Sequence, residues 1–368
     1  SALEVERAFA RARELCERLS DPPQLFPALF GLWTVYFIRA ELRTAHEIGE
    51  QLLQRAEEAH RPALLLLAHQ ALGDTLFSMG ELRLAGEHLE TAISLYNRER
   101  HRPRGFRHGG VDAKVNCLLY SAWTLWTRGY PDRALERGNE CIALAEALAH
   151  PFTLTFAQNA LAQLHTFRRE SRAAQKTAER MMALSTEHGF MFWLAVSRML
   201  RGAAIANQER FEEGIAQMQE GLAGLRDAGA ENGRPQNLSL LAETCMKTGR
   251  LDDGLSALTA ALAAADEQGN RHYEAETHRL KGELLLKRND CNATEARNCF
   301  GRAIEIAQRQ SAKSWELRAT MSLARLLGKQ GRPDEARTML AHIYDWFTEG
   351  FDTADLKDAK ALLDALSV

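Results

Sequence analysis

The sequence lacks the features that would place the chain in a membrane or give it a disulfide framework. No apolar run approaches the roughly 18 residues that a membrane-spanning helix needs, and no signal peptide opens the chain. The six cysteines include no Cys-x-x-Cys pair, which favours reduced thiols over disulfides or a structural zinc site. These absences predict a cytoplasmic protein.

Catalytic motifs are missing as well. The nearest approach to a phosphate-binding loop, Gly328-Lys329-Gln330, lacks the hydroxyl that would hold magnesium, and neither a His-Glu-x-x-His pair nor a nucleophile elbow occurs. His272 and His278 are six residues apart, which puts them on opposite sides of a helix rather than at metal-binding spacing. A net charge of −3 gives no reason to expect nucleic acid or a membrane surface as partner. The sequence therefore predicts no enzyme, no cofactor and no metal site.

What the sequence does have is a small residue that returns about every 40 positions, in two series. The first series comprises Gly31, Gly73, Ala122, Ala162, Gly202, Ala242, Gly282 and Ala324. The second, in the apolar segment that follows each time, comprises Ala45, Ala85, Ala134, Ala174, Gly214, Gly254, Ala296 and Ala336. A period of this length is typical of a solenoid, in which small residues recur where two helices approach closely. We therefore predict an all-α, right-handed superhelix of eight helix-turn-helix repeats without strands.

Turn signals place the two helices of each repeat. Four glycines are predicted to end first helices in the left-handed conformation: Gly80, Gly129, Gly249 and Gly331. Asp132 and Asp334 are predicted to cap the helices that follow. The eight repeats are expected at about residues 23–60, 62–97, 111–149, 151–188, 190–229, 232–269, 271–310 and 312–347. We expect one continuous domain over 1–368, with a half repeat at 1–20 whose start looks cut, the repeats within 21–348, and a capping helix in 349–368.

The repeats resemble a known family. An apolar residue such as Leu72 precedes the first small position, and a large residue such as Leu89 follows the second by four, which resembles the tetratricopeptide repeat with longer helices. Five strings are similar to the C-terminal arrays of bacterial predicted ATPases often fused to class III adenylate or guanylate cyclase domains: SAWTLWTRGYPDRAL from Ser121, HPFTLTFAQN from His150, EHGFMFWLA from Glu187, EAETHRLKGELLL from Glu274 and WFTEGFDTADLKDAKALLDAL from Trp346. The resemblance implies a non-catalytic part of a larger bacterial signalling protein, with catalytic modules upstream.

The resemblance also implies a binding face. In tetratricopeptide arrays the first helix of each repeat lines a concave groove, through the positions three before and one after the first small residue. For repeats three to five, extended by one helical turn, this rule gives the candidate ligand or partner contacts Asn116, Trp123, Phe156, Asn159, Gln163 and Met199. Amides can pair with a peptide backbone, and aromatic rings supply contact area. The alternative is that Trp123, Phe156 and Met199 only pack between adjacent first helices.

Three other segments carry two interpretations each. The later groove positions are charged and either contact a partner or pair with one another: Glu276, Arg279, Glu283, Arg318 and Arg325. The loop over 98–108 is either a phosphate- or carboxylate-binding segment or a flexible solvated loop, and it carries Arg98, Arg100, His101, Arg102, Arg104, Arg107 and His108. The aromatic run at 190–193 is expected to be a packed helix start rather than an exposed patch.

The sequence therefore predicts a regulatory scaffold of a larger signalling ATPase or nucleotide cyclase. Its expected partner is a peptide, a protein, the upstream catalytic domains or another copy of the chain. The alternative is a sensor that binds a small molecule in the concave groove, where Trp123, Asn159 and Gln163 would stack on the ligand and hydrogen-bond to it. A continuous trough would favour a peptide, whereas a closed pocket on the order of a few hundred Å³ near repeats three to five would favour a small molecule.

Overall fold

The computed structural model describes residues 24–97 and 110–367, together with five positions near the amino terminus, 7–9, 11 and 14. The first helices of the repeats are α1 Leu25–Ile38, α3 Pro62–Met79, α5 Ala113–Thr127, α7 Pro151–Phe167, α9 Met191–Ala206, α11 Arg234–Lys247, α13 Glu274–Arg288 and α15 Lys313–Lys329. The second helices are α2 Leu42–Glu58, α4 Leu82–Leu95, α6 Pro131–Leu148, α8 Ser171–His188, α10 Phe211–Asp227, α12 Leu251–Gln268, α14 Ala293–Arg309 and α16 Pro333–Tyr344. A final helix, α17, spans Ala354–Ala365.

The predicted all-α solenoid is thereby confirmed. Besides these helices, the described residues include helical positions at 7–9, 11 and 14 and a 3₁₀ turn at Asp290–Asn292, and they contain no strand. Two predicted segments lie outside those residues: the half repeat at 1–20, apart from its five described positions, and the loop at 98–108. No helix in the described part of the chain combines the length and the apolar character needed to cross a bilayer.

The small residues do what the repeat pattern predicts. All sixteen are buried, and the large residues of the second helices fill the space above them. A Cβ atom built on Gly73 would lie 2.7 Å from the Leu89 side chain, and one on Gly282 would lie 2.5 Å from the Phe300 ring. In repeat five the backbones themselves approach, because a Cβ on Gly214 would lie 2.7 Å from the Gly202 carbonyl oxygen. Small residues are therefore needed at these crossings for steric reasons.

Helix ends follow the prediction at the glycines but not at the aspartates. Gly80, Gly129, Gly249 and Gly331 all have positive φ, as expected for left-handed helix ends. The capping prediction for Asp132 and Asp334 is wrong, since neither α6 nor α16 has a side-chain cap. Each of these helices begins at a proline, which needs no N–H partner there, so the aspartate falls inside the first turn.

Each of the first three repeats contacts the repeat five places later. The last-turn carbonyl oxygens of three first helices are the acceptors, and the donors lie at the entry to a later first helix. Ile38 O accepts from Glu231 N at 3.0 Å, Ser78 O accepts from Arg271 N at 2.8 Å, and Trp126 O accepts from Ser314 Oγ at 2.6 Å. Such carbonyls have no partner within their own helix. The superhelix therefore closes on itself after five repeats and surrounds its own axis.

The final helix, α17, forms hydrogen bonds with both repeat eight and repeat four. Asp355 of α17 accepts hydrogen bonds from Arg318 Nε at 2.8 Å and from Arg169 Nη1 at 3.2 Å, and Asp358 pairs with Arg169 at 2.6 Å. Leu356 and Ala359 of the same helix are buried. The helix therefore covers the end of the array and also joins two turns of the superhelix.

Candidate functional site

The closed turn of the superhelix encloses a cavity of about 860 Å³. Residues from the first helices of repeats one to six, and from the segments just before them, form most of its wall. The structure brings five of the six candidate contacts to this wall: Asn116, Trp123, Phe156, Asn159 and Gln163. The cavity extends well beyond repeats three to five, where the sequence analysis placed the groove.

Met199 is the exception. Only 1% of its surface is exposed, and its Cγ would lie 2.8 Å from a Cβ on Gly221, so it packs inside the close crossing of α9 and α10. Its predicted groove position is wrong because that crossing turns this face of α9 inward. Repeat five lines the cavity with the aromatic run at 190–193 instead. Trp193 in that run is buried, as expected of a packed helix start, whereas Met191 is 69% exposed.

Two groups of aromatic side chains line the cavity. The first consists of Trp33, Phe37, Phe77, Tyr120 and Trp123, in which the Tyr120 ring centroid lies 5.6 Å from Phe77 and 5.3 Å from Trp123. The second consists of Phe152, Phe156, Phe190, Phe192 and Trp193, in which Phe156 and Trp193 are 5.3 Å apart. These rings give the cavity a largely apolar surface suited to an apolar ligand body.

Trp123 combines the two roles that the sequence analysis set against each other. Its Nε1 donates to the Ala160 carbonyl oxygen at 3.0 Å, so the indole bridges the first helices of repeats three and four. The same side chain lines the cavity. Packing between helices therefore holds the ring in a fixed orientation at the cavity wall.

Buried polar side chains on the wall have unused hydrogen-bonding capacity. Asn116 Nδ2 donates to Asp74 Oδ2 at 2.6 Å. Among the described residues, Asp74 Oδ1, Gln70 Oε1 and Gln163 Nε2 have no hydrogen-bond partner, although each of these side chains is more than nine-tenths buried. Leaving such groups unpaired costs about 1–3 kcal/mol each, so a ligand that supplied the missing partners would recover that free energy.

Burial shifts the pKa of two side chains on the cavity wall, Asp74 and His272. It raises the pKa of the Asp74 carboxyl well above its ordinary value, an effect that the hydrogen bond from Asn116 opposes. Burial also lowers the pKa of His272 to about 4, so the imidazole is neutral near pH 7. The two ring nitrogens of His272 contact Asn270 Oδ1 at 2.8 Å and Gln236 Oε1 at 3.0 Å. His272 thus contributes a neutral, fixed ring to the wall.

The charged later positions do not form part of this cavity. Glu276 accepts two hydrogen bonds from Arg279, both at 2.7 Å, and Glu283 accepts one from Ser322 at 2.6 Å. The Arg318 guanidinium pairs with Asp355 and lies 5.1 Å from the ring centroids of Trp126 and Trp315. Arg279 also lies 3.7 Å from Glu283, and Arg318 lies 3.5 Å from Glu276. Of the two interpretations, mutual pairing is therefore the one observed for these four residues, and Arg325 is exposed. In the described part of the chain, no three His, Cys, Asp or Glu side chains are placed to hold a metal ion.

Two groups of cavity residues were not predicted from the sequence. Gln70 and Asp74 stand three before and one after Gly73, so the groove rule applied to repeat two finds both. Gln236 stands six residues before Ala242, as Asn116 does before Ala122, so the extended rule applied to repeat six finds it, whereas Asn232 carries no such signal. They reach the cavity because repeat six docks on repeat one through the Ile38 carbonyl.

Comparison with known proteins identifies the fold. No family model matches the chain. An uncharacterized protein of Rhizobium meliloti is 26% identical over 330 residues, which cover 88% of this chain but only 31% of that protein. A Rap protein complexed with competence and sporulation factor has a TM-score of 0.64 at 12% identity, covering 99% of this chain and 97% of that one. The Rap conjugation gene regulator of a plasmid, in complex with a Phr peptide, has a TM-score of 0.57 at 10% identity, covering 94% and 97%. The fold is a tetratricopeptide-type solenoid.

Proposed function

We propose that this chain is a non-catalytic regulatory scaffold that binds a short peptide, or an exposed segment of a protein, in the cavity inside its superhelix. The observation that carries the proposal is the combination on one wall of aromatic rings with buried, unpaired polar groups. Gln163 offers an unused donor, Gln70 an unused acceptor, and a peptide backbone supplies the complement of both. A Rap regulator of the same fold is complexed with a peptide, which supports this choice of ligand.

We further propose that the array serves a larger signalling protein and relays occupancy of the cavity to catalytic modules. The chain spans about a third of the Rhizobium meliloti protein, which leaves room there for other modules. The resemblance of its repeats to arrays that follow predicted ATPase and cyclase modules supports this context. Those modules, or a second copy of the chain, are further candidate partners.

A small organic molecule is the second candidate ligand. The observation that favours it is the cavity itself, because a volume of about 860 Å³ lies within the range of small-molecule sites. The contacts between repeats one and six, and between repeats two and seven, also join the two ends of one superhelical turn around this partly open cavity, whereas a long peptide would need a continuous trough.

The test is retention of peptides by the purified chain. An equimolar library of randomised, N-acetylated hexapeptides is passed over the immobilised protein, and bound peptides are read by mass spectrometry. Asn159→Ala should weaken binding by about 1–2 kcal/mol if the amide is a central contact, which is roughly five- to thirtyfold in affinity. Asn207→Ala, which removes an exposed amide outside the cavity, is the matched control. Failure of the wild-type chain to retain any peptide would refute peptide binding.

A further inference from the structure

One carboxylate stands out on the cavity wall. Asp74 lies in the middle of α3 and is only 1% exposed, yet its Oδ1 has no hydrogen-bond partner among the described residues. The other carboxylate on the wall, Asp112, is fully used. Its Oδ1 accepts from Lys114 N and Val115 N, and its Oδ2 accepts from the Tyr96 hydroxyl at 2.9 Å. Of the two acidic side chains on the wall, Asp74 is therefore the one with a carboxyl oxygen that has no hydrogen-bond partner.

Among the described residues of the cavity wall, no cationic side chain pairs with the Asp74 carboxyl group. The basic side chains on the wall are Arg61 and His272. Arg61 is exposed and precedes the first residue of α3, which places its backbone roughly 20 Å along the helix axis from Asp74. His272 is neutral near pH 7 and is already held by Asn270 and Gln236. The site therefore holds a carboxyl group without a counter-charge. Burial disfavours its ionised form by raising its pKa, and a bound cation would favour that form again.

Two aromatic rings of the cavity wall lie near this group. Phe77 lies one helical turn beyond Asp74 on α3, and Tyr120 lies one turn beyond Asn116 on α5. The Asp74 carboxylate is close enough to Tyr120 to raise the pKa of that phenol, on top of the effect of burial. Ring faces attract cations, and a carboxylate oxygen that lacks a partner can accept from a charged N–H donor. A quaternary ammonium has no N–H, whereas a primary ammonium or a guanidinium provides both the charge and the donor.

We infer that the ligand carries a primary ammonium or guanidinium group, which pairs with Asp74 beside Phe77 and Tyr120. The inference rests on the proposed function, since it names the chemistry of a ligand for the same cavity. Two sources share this chemistry: a lysine or arginine side chain of a peptide, and a small free amine.

The first experiment uses the same acetylated hexapeptide library, in which the cation can come only from a lysine or arginine side chain. The wild-type chain should retain peptides enriched at least about tenfold in these residues relative to Asp74→Asn. Asn has nearly the same shape as Asp and can still accept from Asn116, so the fold should survive, and a circular dichroism melt checks this. Asn159→Ala is the matched control, which should reduce total retention without changing the preference for basic residues.

The second experiment compares tryptamine with its neutral analogue tryptophol, and the binding of each is measured by isothermal titration calorimetry. It needs no variant, and tighter binding of the amine to the wild-type chain supports the cation site. Binding of the amine alone, with no peptide retained, keeps the cation site and identifies a small molecule as its source. Retained peptides without a basic preference, or a preference that survives in Asp74→Asn, would overturn the inference and leave the proposed function standing. Absence of any binding overturns both.

Discussion

Replacing Gly214 by alanine tests how closely α9 and α10 approach. The added Cβ would lie 2.7 Å from the Gly202 carbonyl oxygen and 2.7 Å from Ala206 Cβ, so the two helices would have to separate. Overpacking of this kind costs about 1–3 kcal/mol, and alanine recovers about 0.8–1.0 kcal/mol through its helix propensity. Because part of the obstacle is backbone, we expect the upper half of the cost and a net loss of about 1–2 kcal/mol.

Gly301→Ala is the matched control, because Gly301 lies within α14 and a Cβ there meets nothing within 4 Å. Only the helix-propensity gain applies, so this variant should be stabilised by about 0.5–1 kcal/mol. Melting temperatures from calorimetry, supported by urea unfolding, are the measurement. Two substitutions of the same chemical kind should therefore shift stability in opposite directions. If Gly214→Ala stabilises the protein as much as Gly301→Ala, the close crossing of α9 and α10 is refuted.

Three further predictions concern buried positions. Ala162→Leu should overpack the contact of α7 with α8 and α9 and lower stability by about 1–3 kcal/mol, and an unchanged melting temperature would contradict the repeat register. Asp74→Asn should become progressively more stable than the wild type as the pH rises above about 4, by about 1.4 kcal/mol per pH unit, until the raised pKa of the folded protein is reached. The reason is that the unfolded chain releases this proton while the folded one keeps it, and parallel stability profiles of the two proteins would show that Asp74 ionises freely. Arg318→Ala should cost about 3 kcal/mol or more, because it removes a buried cation that faces both Asp355 and Glu276 and leaves Asp355 with only the half-exposed Arg169. A melt of the two proteins measures the loss, and a value below about 1 kcal/mol would mean that the pair is solvated.

The sequence was sufficient for the repeat helices because their signal is local. A small residue is required wherever a large side chain of the second helix packs on the first, as Leu89 does on Gly73. Because every repeat has this contact, small residues recur in the sequence with the period of the repeat. The capping prediction for Asp132 failed for an equally local reason, since Pro131 takes the first helical position. Both outcomes depend on residues within a single repeat.

The cavity could be predicted only in part. The groove rule places wall residues correctly in repeats two to four, as at Asp74, Trp123 and Gln163. It fails at Met199, where the glycine-lined crossing rotates the contact into the core. It also gives no sign that repeat six returns to repeat one, because the number of repeats per superhelical turn comes from a small rotation at each junction. No short sequence pattern predicts the sum of those rotations, so the contact between repeats one and six could not be predicted.

The hydrogen bonds that join repeats five places apart also bear on how the chain folds and unfolds. In an ordinary solenoid each repeat contacts only its neighbours, so the ends can fray one unit at a time and folding can start anywhere. Here Ile38 is bonded to Glu231 and Ser78 to Arg271, contacts that span more than half of the sequence. Closing such long loops carries an entropic cost that slows folding, and it links the stability of the first repeats to that of the last. The array should therefore unfold with the cooperativity of a globular domain, and loss of repeats from one end should loosen the other.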